Sequence, residues 1–442
     1  MKRTANLIFQ HLLWRGLYFL SVLILNILIS RFLAAEKSGQ IFYIMNNLAF
    51  ILLLVSISLE SGVVYYISSG KLDALQMARF CVLWTIAAGS IAASVWWLGL
   101  RFTGTSFFGN ADFLGASLLF IGGILLTTFF NALFYSKHQF GFPNKILVVV
   151  NICLIILLIS GNGSEWVRDH FLLLYFFSYA LQGILLMTVF FIWHPEKGER
   201  GIPSSPVLKM VIRYSLTALT ANIIYFLVSR IDYWLVAHYC SASDLGNYIQ
   251  ATKLGQMLLI VPSILGSTLF PLLSSGKRAN ADADLQCVVR VLLWINLCIC
   301  VMLICFGSYV LPLIFGKSFD KMYMLFVLLI PGILAFTANF PIAAWFSARD
   351  RIWVNISGAV LSLLLILAGD MLILPYAGVR AASCVSSAGY FCYYCYMQII
   401  YRKENPSSLK DFLFIRKDDV KWIYQLIKNK ISWVFPEKPI AP

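Results

Sequence analysis

The stretch Ile146–Ile159, ILVVVNICLIILLI, carries one polar residue, Asn151. A second stretch, Val288–Phe306, VVRVLLWINLCICVMLICF, is interrupted only by Arg290 and Asn296. Transmembrane strands alternate apolar and polar residues over about ten positions, so runs this continuous are not strands. They fit helices that cross a bilayer, each needing about 20 mostly apolar residues. Outward from these two, Gly, Pro and charge punctuation divides the chain into about twelve such segments, near 7–33, 41–68, 77–100, 112–136, 145–160, 170–193, 209–238, 246–274, 288–315, 321–346, 352–375 and 378–401. Little sequence is left between them, which excludes a large soluble catalytic domain.

Composition agrees. Of 442 residues 60% are hydrophobic and 12% charged, and the mean hydropathy is +0.81. A water-soluble domain carries about 25% charged residues, so this chain cannot cover a soluble surface. The ten cysteines lie mostly inside apolar runs, where free Cys behaves as a small hydrophobe; Cys392-x-x-Cys395 sits mid-helix and reads as core packing.

The net charge of +14, from 34 Lys+Arg and 20 Asp+Glu, follows the positive-inside pattern. With the N-terminus inside, the inner connections (Lys71, Arg79, Lys137, Lys145, Lys197 and Arg200 among them) and the tail hold about 24 cations. The outer side holds Lys37, Arg101, Arg168, Lys317, Lys321 and Arg380, a ratio of roughly four to one. Both termini are therefore expected in the cytoplasm, and the first segment, opening Met1-Lys2-Arg3, as a retained anchor. No basic run interleaved with aromatics stands outside the membrane segments, so no nucleic-acid partner is expected.

The connection His194–Pro206 (HPEKGERGIPSSP) falls near mid-chain and is rich in Pro and Gly. It divides the chain into an N-lobe at 1–193, a linker at 194–208, a C-lobe at 209–401 and a basic tail at 402–442. The halves repeat: Arg31–Gly39 and His238–Gly246 share a helix end, a polar turn and a glycine, 207 residues apart. At that offset Arg15 falls on Asn222, Tyr18 on Tyr225 and Asn46 on Lys253. A second match, Phe134–Lys137 with Trp345–Ala348, is offset by 211. The expected fold is an all-α integral membrane protein, two parallel six-helix lobes forming a V-shaped central cavity.

Polar groups within apolar helices mark function by default. At 100° per residue His11, Arg15, Tyr18 and Asn26 share one face of helix one, and Ser215, Asn222, Tyr225, Ser229 and Asp232 one face of helix seven. Asn46, Ser56 and Glu60 align on helix two, and Gln250 and Lys253 on helix eight. Arg15 and Lys253 are the candidate binders of an anion, Arg bidentately and Lys as a point charge. Tyr18, Asn46, Asn222, Tyr225 and Gln250 suit neutral hydroxyl-bearing groups, while His11, Glu60 and Asp232 are candidates for ion coupling. Asp370, near the end of helix eleven, reads as interfacial. No GxxxxGK[ST] loop, zinc spacing or Ser/His/Asp set occurs, so neither a catalytic site, a metal site nor a cofactor is expected.

The segments Ser30-Arg31-Phe32-Leu33 with Gly39–Phe42, then Ser58–Ile67, resemble the opening helices of polysaccharide-transporter proteins. Arg230-Ile231-Asp232, Gly246-Asn247-Tyr248, Ala251-Thr252-Lys253 and Leu269–Ser274 resemble the seventh and eighth helices of the same family, the Wzx-type O-antigen flippases of the multidrug/oligosaccharidyl-lipid/polysaccharide exporter superfamily. The resemblance covers essentially the whole chain. It implies flipping of undecaprenyl-diphosphate-linked oligosaccharide from the inner to the outer leaflet of a bacterial inner membrane, with membrane lipids, a polysaccharide polymerase and chain-length machinery as further partners. Two departures bear on turn geometry: Ala34-Ala35 stands where relatives commonly have Gly-Pro, and Leu59 where they often have Gly. The alternatives are a multidrug/cation antiporter on the same fold, whose cavity would be anionic, and a membrane-embedded glycan polymerase, which would need a long outer loop.

Overall fold

A computed structural model describes residues 2–103, 114–137, 139, 141–161, 166–167, 170–194, 201–274, 281–405, 410–414, 416 and 419. The elements are helices throughout these residues: α1 (Lys2–Ser56), α2 (Leu59–Ser68), α3 (Ala74–Thr103), α4 (Leu114–Ser136), α5 (Gly141–Ser160), α6 (Phe171–Trp193), α7 (Ser205–Tyr239), α8 (Ala242–Leu258), α9 (Ile260–Ser274), α10 (Ala281–Phe315), α11 (Met322–Ala348), α12 (Ile352–Ala377), α13 (Val379–Glu404) and α14 (Lys410–Leu413). Among the described residues ten stretches are long and apolar enough to cross a membrane. One of them, Leu13–Ser56, is 44 residues long, about twice a bilayer core at 1.5 Å per residue. It is folded at Ala34, whose backbone leaves the helix at φ 56°, ψ 178°. Counted as two arms, that stretch together with the other nine and the Ser-, Cys- and Tyr-rich α13, 26 residues long, gives twelve helices of spanning length among the described residues, the number expected.

In lipid no water satisfies freed backbone groups, so helix breaks need side-chain partners. The segment read as 41–68 breaks at Ile57 and Ser58, both left-handed at φ 48° and 53°. Around the break the Trp84 indole donates to the Val55 carbonyl at 2.9 Å, and the Ser58 N–H donates to Ser56 Oγ at 3.2 Å. The break between α8 and α9 is served by Asn296, whose amide donates to the Leu258 carbonyl at 3.3 Å.

The chain forms two units, Met1–Phe32 with Ile44–Ile223, and Leu33–Tyr43 with Ile224–Pro442. The first is built on α4 against α6. A Cβ placed on Gly183 would lie 2.6 Å from the Gly123 carbonyl oxygen, so the two backbones touch as in small-residue membrane packing. Phe120, Phe130 and Phe134 of α4 then meet Phe176 and Phe190 of α6 in tilted and edge-to-face contacts, at centroid distances of 5.0 to 5.6 Å. The second unit is built on α11, α12 and α13: the Gly332 N–H donates to Ser387 Oγ at 2.8 Å, and Gly358 lies under the Tyr393 ring. Only Cys81 and Cys300 are fully buried; Cys153, Cys298, Cys305 and Cys384 are exposed, and Cys392 and Cys395 are half-buried. The core-packing expectation for Cys392 and Cys395 is thus met only in part, since a helix face toward lipid is as apolar as the interior.

The start of the tail is pinned to the second unit. Arg290 is 3% exposed and Asp419 1%; Nε and Nη2 of Arg290 donate to both Asp419 oxygens at 2.7 Å, and Nη1 donates to the Asp411 carbonyl. Phe412 is buried edge-on to Tyr401, and the Trp294 indole donates to the Leu413 carbonyl at 2.8 Å. Burial pushes the Asp419 carboxyl up, but hydrogen bonds from Arg290 and the Arg416 N–H outweigh it and hold the group below the ordinary carboxylate range.

Two outcomes follow. Ala34 adopts a conformation natural only to glycine, at a cost of about 1–3 kcal/mol; Ala34→Gly should raise the thermal unfolding midpoint of the purified protein, corresponding to about 1 kcal/mol. Arg290→Ala strands a buried carboxylate and should cost about 3–5 kcal/mol. Because the Asp419 value is depressed, its stabilisation is complete above the ordinary carboxylate range and fades below it. The midpoint gap between wild type and Asp419→Asn should therefore close on acidification.

Candidate functional site

In the first unit, helix-one residues meet partners from α4, α5 and α6. Arg15 Nη1 donates to Tyr135 Oη at 3.2 Å, and the Asn144 amide donates to the same phenol at 3.2 Å. Half-buried Tyr18 lies in electrostatic range of Arg15, Tyr135 and Tyr179, and Tyr179 hydrogen-bonds Tyr175 at 2.9 Å. One turn further, Ser21 accepts from the Asn151 amide at 2.8 Å, and Asn151 Oδ1 accepts from Gln182 at 2.8 Å. A polar ladder thus runs along the helix-one stripe, through the very Asn151 that interrupts the ILVVVNICLIILLI run. The Asn26 amide turns back to its own helix, donating to the Val22 carbonyl at 2.9 Å.

Asn222 donates to Ser58 Oγ at 2.9 Å, tying α7 to the break before α2. Ser215, two turns earlier on α7, sits against Gly62. Glu60, in the first turn of α2, is half-buried, and its Oε2 is buried without a hydrogen bond. Asn46 is 2% exposed. His11 lies in helical backbone, but its side chain is outside the described residues.

In the second unit Lys253 Nζ lies 3.2 Å from the centroid of the Phe42 ring, a cation–π contact. Arg230 lies in electrostatic range of it. Gln250 is buried on the same helix. Tyr225 is exposed, its ring near-parallel to Phe336 at 6.4 Å.

Asp232 belongs to a group that the helix-seven stripe alone does not reveal. One carboxylate oxygen accepts from Tyr248 Oη and from Ser386 Oγ, the latter at 2.9 Å; the other is buried with no hydrogen bond. Asp370 is not interfacial: it is 0% exposed, neither oxygen has a hydrogen-bond partner, and it lies in electrostatic range of Asp232. Counting residues from the end of helix eleven placed it by depth, whereas its azimuth turns it toward the protein interior. Tyr248, Ser386 and Asp370 were missed because they meet only through tertiary packing. The available signal was α13 itself, where Ser383, Ser386, Ser387 and Tyr390 are a polar sequence on a spanning-length helix.

A buried carboxylate without a partner is costly. Asp370→Leu should therefore stabilise the purified protein by about 1–3 kcal/mol near neutral pH, whereas Ser386→Ala, which strips a donor from Asp232, should destabilise it by a similar amount. Thermal unfolding reads both.

Residues 174–324 match the family described as polysaccharide biosynthesis proteins. No curated protein sequence matches the chain. Among solved structures, the lipid II flippase MurJ in an inward closed conformation is 12% identical, with a TM-score of 0.68 over 97% of this chain and 94% of that one. The Vibrio cholerae MATE transporter VcmN in its bent form is 13% identical, with a TM-score of 0.63 over 91% and 97%. A MOP-superfamily transporter from Pyrococcus furiosus, described as having a binding pocket of reversed polarity, is 11% identical, with a TM-score of 0.59 over 90% and 94%. All three are described as transporters or flippases. This protein has the fold of MOP-superfamily flippases and exporters, and its sequence carries the polysaccharide biosynthesis pattern across the end of the first half and the start of the second.

Proposed function

We propose that the protein flips an anionic, undecaprenyl-diphosphate-linked oligosaccharide from the inner to the outer leaflet of a bacterial inner membrane, for O-antigen or another surface polysaccharide. The observation that carries this reading is the ammonium of Lys253 set over the Phe42 ring at 3.2 Å in an apolar helical unit, with Arg230 in electrostatic range. Two cations in electrostatic range of each other favour an anion, and a diphosphate is the anion that a lipid-linked glycan supplies. Arg15, with its neutral phenol partner in the first unit, is the other candidate binder of such an anion. Tyr18, Asn46, Asn222, Tyr225 and Gln250 would meet sugar hydroxyls. The polysaccharide family match and the fold shared with a lipid II flippase support the cargo class. Alternating access, with both termini cytoplasmic, would carry the headgroup across while the lipid tail stays in the bilayer.

Asp232 and Asp370 would couple this movement to an ion gradient. The same pair is the one feature that favours a second reading, a cation antiporter with an acidic site in the second unit.

In cells that display the glycan, Lys253→Ala and Arg15→Ala should lower surface display about tenfold, the worth of one charge-assisted contact, with protein abundance unchanged and lipid-linked precursor accumulating inside. Full display would remove these cations from the mechanism. In reconstituted vesicles Asp370→Asn should abolish the dependence of flipping on an imposed ion gradient, and Glu60→Gln should flatten its pH profile. Cation export surviving Lys253→Ala but lost in Asp370→Asn would favour the antiporter.

A further inference from the structure

Three tyrosines meet where the end of α2 lies against the start of α7, all inside the first unit. Tyr65 and Tyr214 stack face to face, with ring centroids 4.8 Å apart and planes 11° from parallel. Buried Tyr66 stands nearly perpendicular to both, at 4.9 Å from Tyr65 and 5.9 Å from Tyr214. Yet Tyr65 is 48% exposed and Tyr214 40%. Rings that serve packing alone contribute through the area they bury, and this pair is left open.

The pair is firmly mounted. A Cβ on Gly62 would lie 2.6 Å from Ser215 Oγ and 2.9 Å from Val211 Cγ1, so α2 and α7 touch one turn before the rings. One turn further back Asn222 donates to Ser58 Oγ. Past the rings the chain turns through Gly70 at φ 70°, and Ser69 Oγ and the Lys71 N–H both donate to the Tyr66 carbonyl, at 3.1 and 3.0 Å. The tyrosines are thus held from both sides, and a ligand meeting them has little ordering cost to overcome.

The surroundings are polar. Leu59, Val63 and Ile67 of α2 are buried, and at about 100° per residue the opposite face carries Ser61, Val64, Tyr65 and Ser68. On α7 the exposed Met210, Thr217 and Ala221 share the face of Tyr214. A surface turned to lipid is apolar throughout, whereas this one interleaves three hydroxyls with its rings and suits a hydrated groove. The exposed charges beside it are cationic: Arg213 precedes Tyr214, and Lys71 sits on the turn after α2. Of the nearby carboxylates, Asp73 caps α3, accepting from the Leu75 and Gln76 N–H groups at 3.0 Å, and Glu60 has its Oε2 buried.

The C–H face of a pyranose is apolar and weakly positive, so it lies flat on the electron-rich face of an aromatic ring. Its hydroxyls fan outward, where Ser and Thr hydroxyls can donate or accept. An organic cation also favours aromatic faces, but Arg213 and Lys71 oppose it by like charge.

We infer that the outward face of the Tyr65–Tyr214 pair is a stacking platform for a sugar ring of the oligosaccharide, a contact separate from the cations assigned to its diphosphate. The platform rests on the proposal that the cargo is a glycan.

The test uses the full-length protein in nanodiscs and, as probe, the lipid-free and phosphate-free oligosaccharide released by mild acid from the host's own surface glycan. Saturation-transfer NMR, with irradiation in the aromatic region where the lipid has no protons, should transfer magnetisation to the C–H protons on one face of a sugar ring. No transfer from the wild-type protein overturns the platform. Tyr65→Leu and Tyr214→Leu keep apolar bulk but lose the ring, and should weaken probe binding about tenfold, with the thermal unfolding midpoint confirming an intact fold. Tyr65→Phe and Tyr214→Phe keep the ring and should retain the contact. Leucine variants that bind as tightly as wild type, or phenylalanine variants that lose as much as the leucine ones, overturn stacking. Ring-dependent binding of ethidium with none of the oligosaccharide does so too. Because the probe carries neither phosphate nor lipid, the two readings fail separately. Ring-dependent probe binding alongside full glycan display in Arg15→Ala and Lys253→Ala rejects the diphosphate assignment and leaves the platform standing. Lost display in those variants with no ring-dependent binding rejects the platform alone.

Discussion

Every backbone amide and carbonyl in a bilayer must find a partner within the protein, and that demand organises this structure. Unbroken helix is the default solution. Each interruption is matched by side chains that take over the freed groups: Trp84 and Ser56 at the Ile57–Ser58 break, Asn296 between α8 and α9, Ser318 beside the Ala34 corner. These interruptions lie next to the polar groups of interest. The first borders Glu60 and Asn222, and the second follows the helix of Gln250 and Lys253. Discontinuous helices are the usual place where membrane transporters gather polar chemistry.

The polar interior divides by chemistry between the two units. The first holds an Arg15–Tyr135–Asn144 cluster and a Ser21–Asn151–Gln182 chain of neutral groups. The second holds cations at Lys253 and Arg230 and carboxylates at Asp232 and Asp370, with Arg230 and Asp232 on the same helix.

Helix positions were legible because membrane helices announce themselves by apolar length alone, and the runs at Ile146–Ile159 and Val288–Phe306 fall inside α5 and α10. Hydropathy does not register backbone dihedrals, so the break at Ile57–Ser58 was not legible. Neither residue is glycine or proline, and tertiary caps hold it open. Asp232 was found because its helical stripe repeats that of helix one. Its partners Tyr248 and Ser386 were not, since they come from α8 and α13 through packing that no single-helix periodicity encodes. The oddity of Ala34, by contrast, was visible in sequence as a departure from Gly-Pro, and it is where the backbone is strained.

The contact of Gly123 with Gly183 has a mechanical side. Where two helices meet main chain to main chain there is no cushion of rotatable side chains, so sliding by even a fraction of a turn drives carbonyls into one another. The α4 and α6 pair is therefore a stiff spine, flanked by interlocked phenylalanine rings. The short α2 after the seam at Ile57–Ser58 packs on the same α4, so that break is seated against the spine and inherits its stiffness.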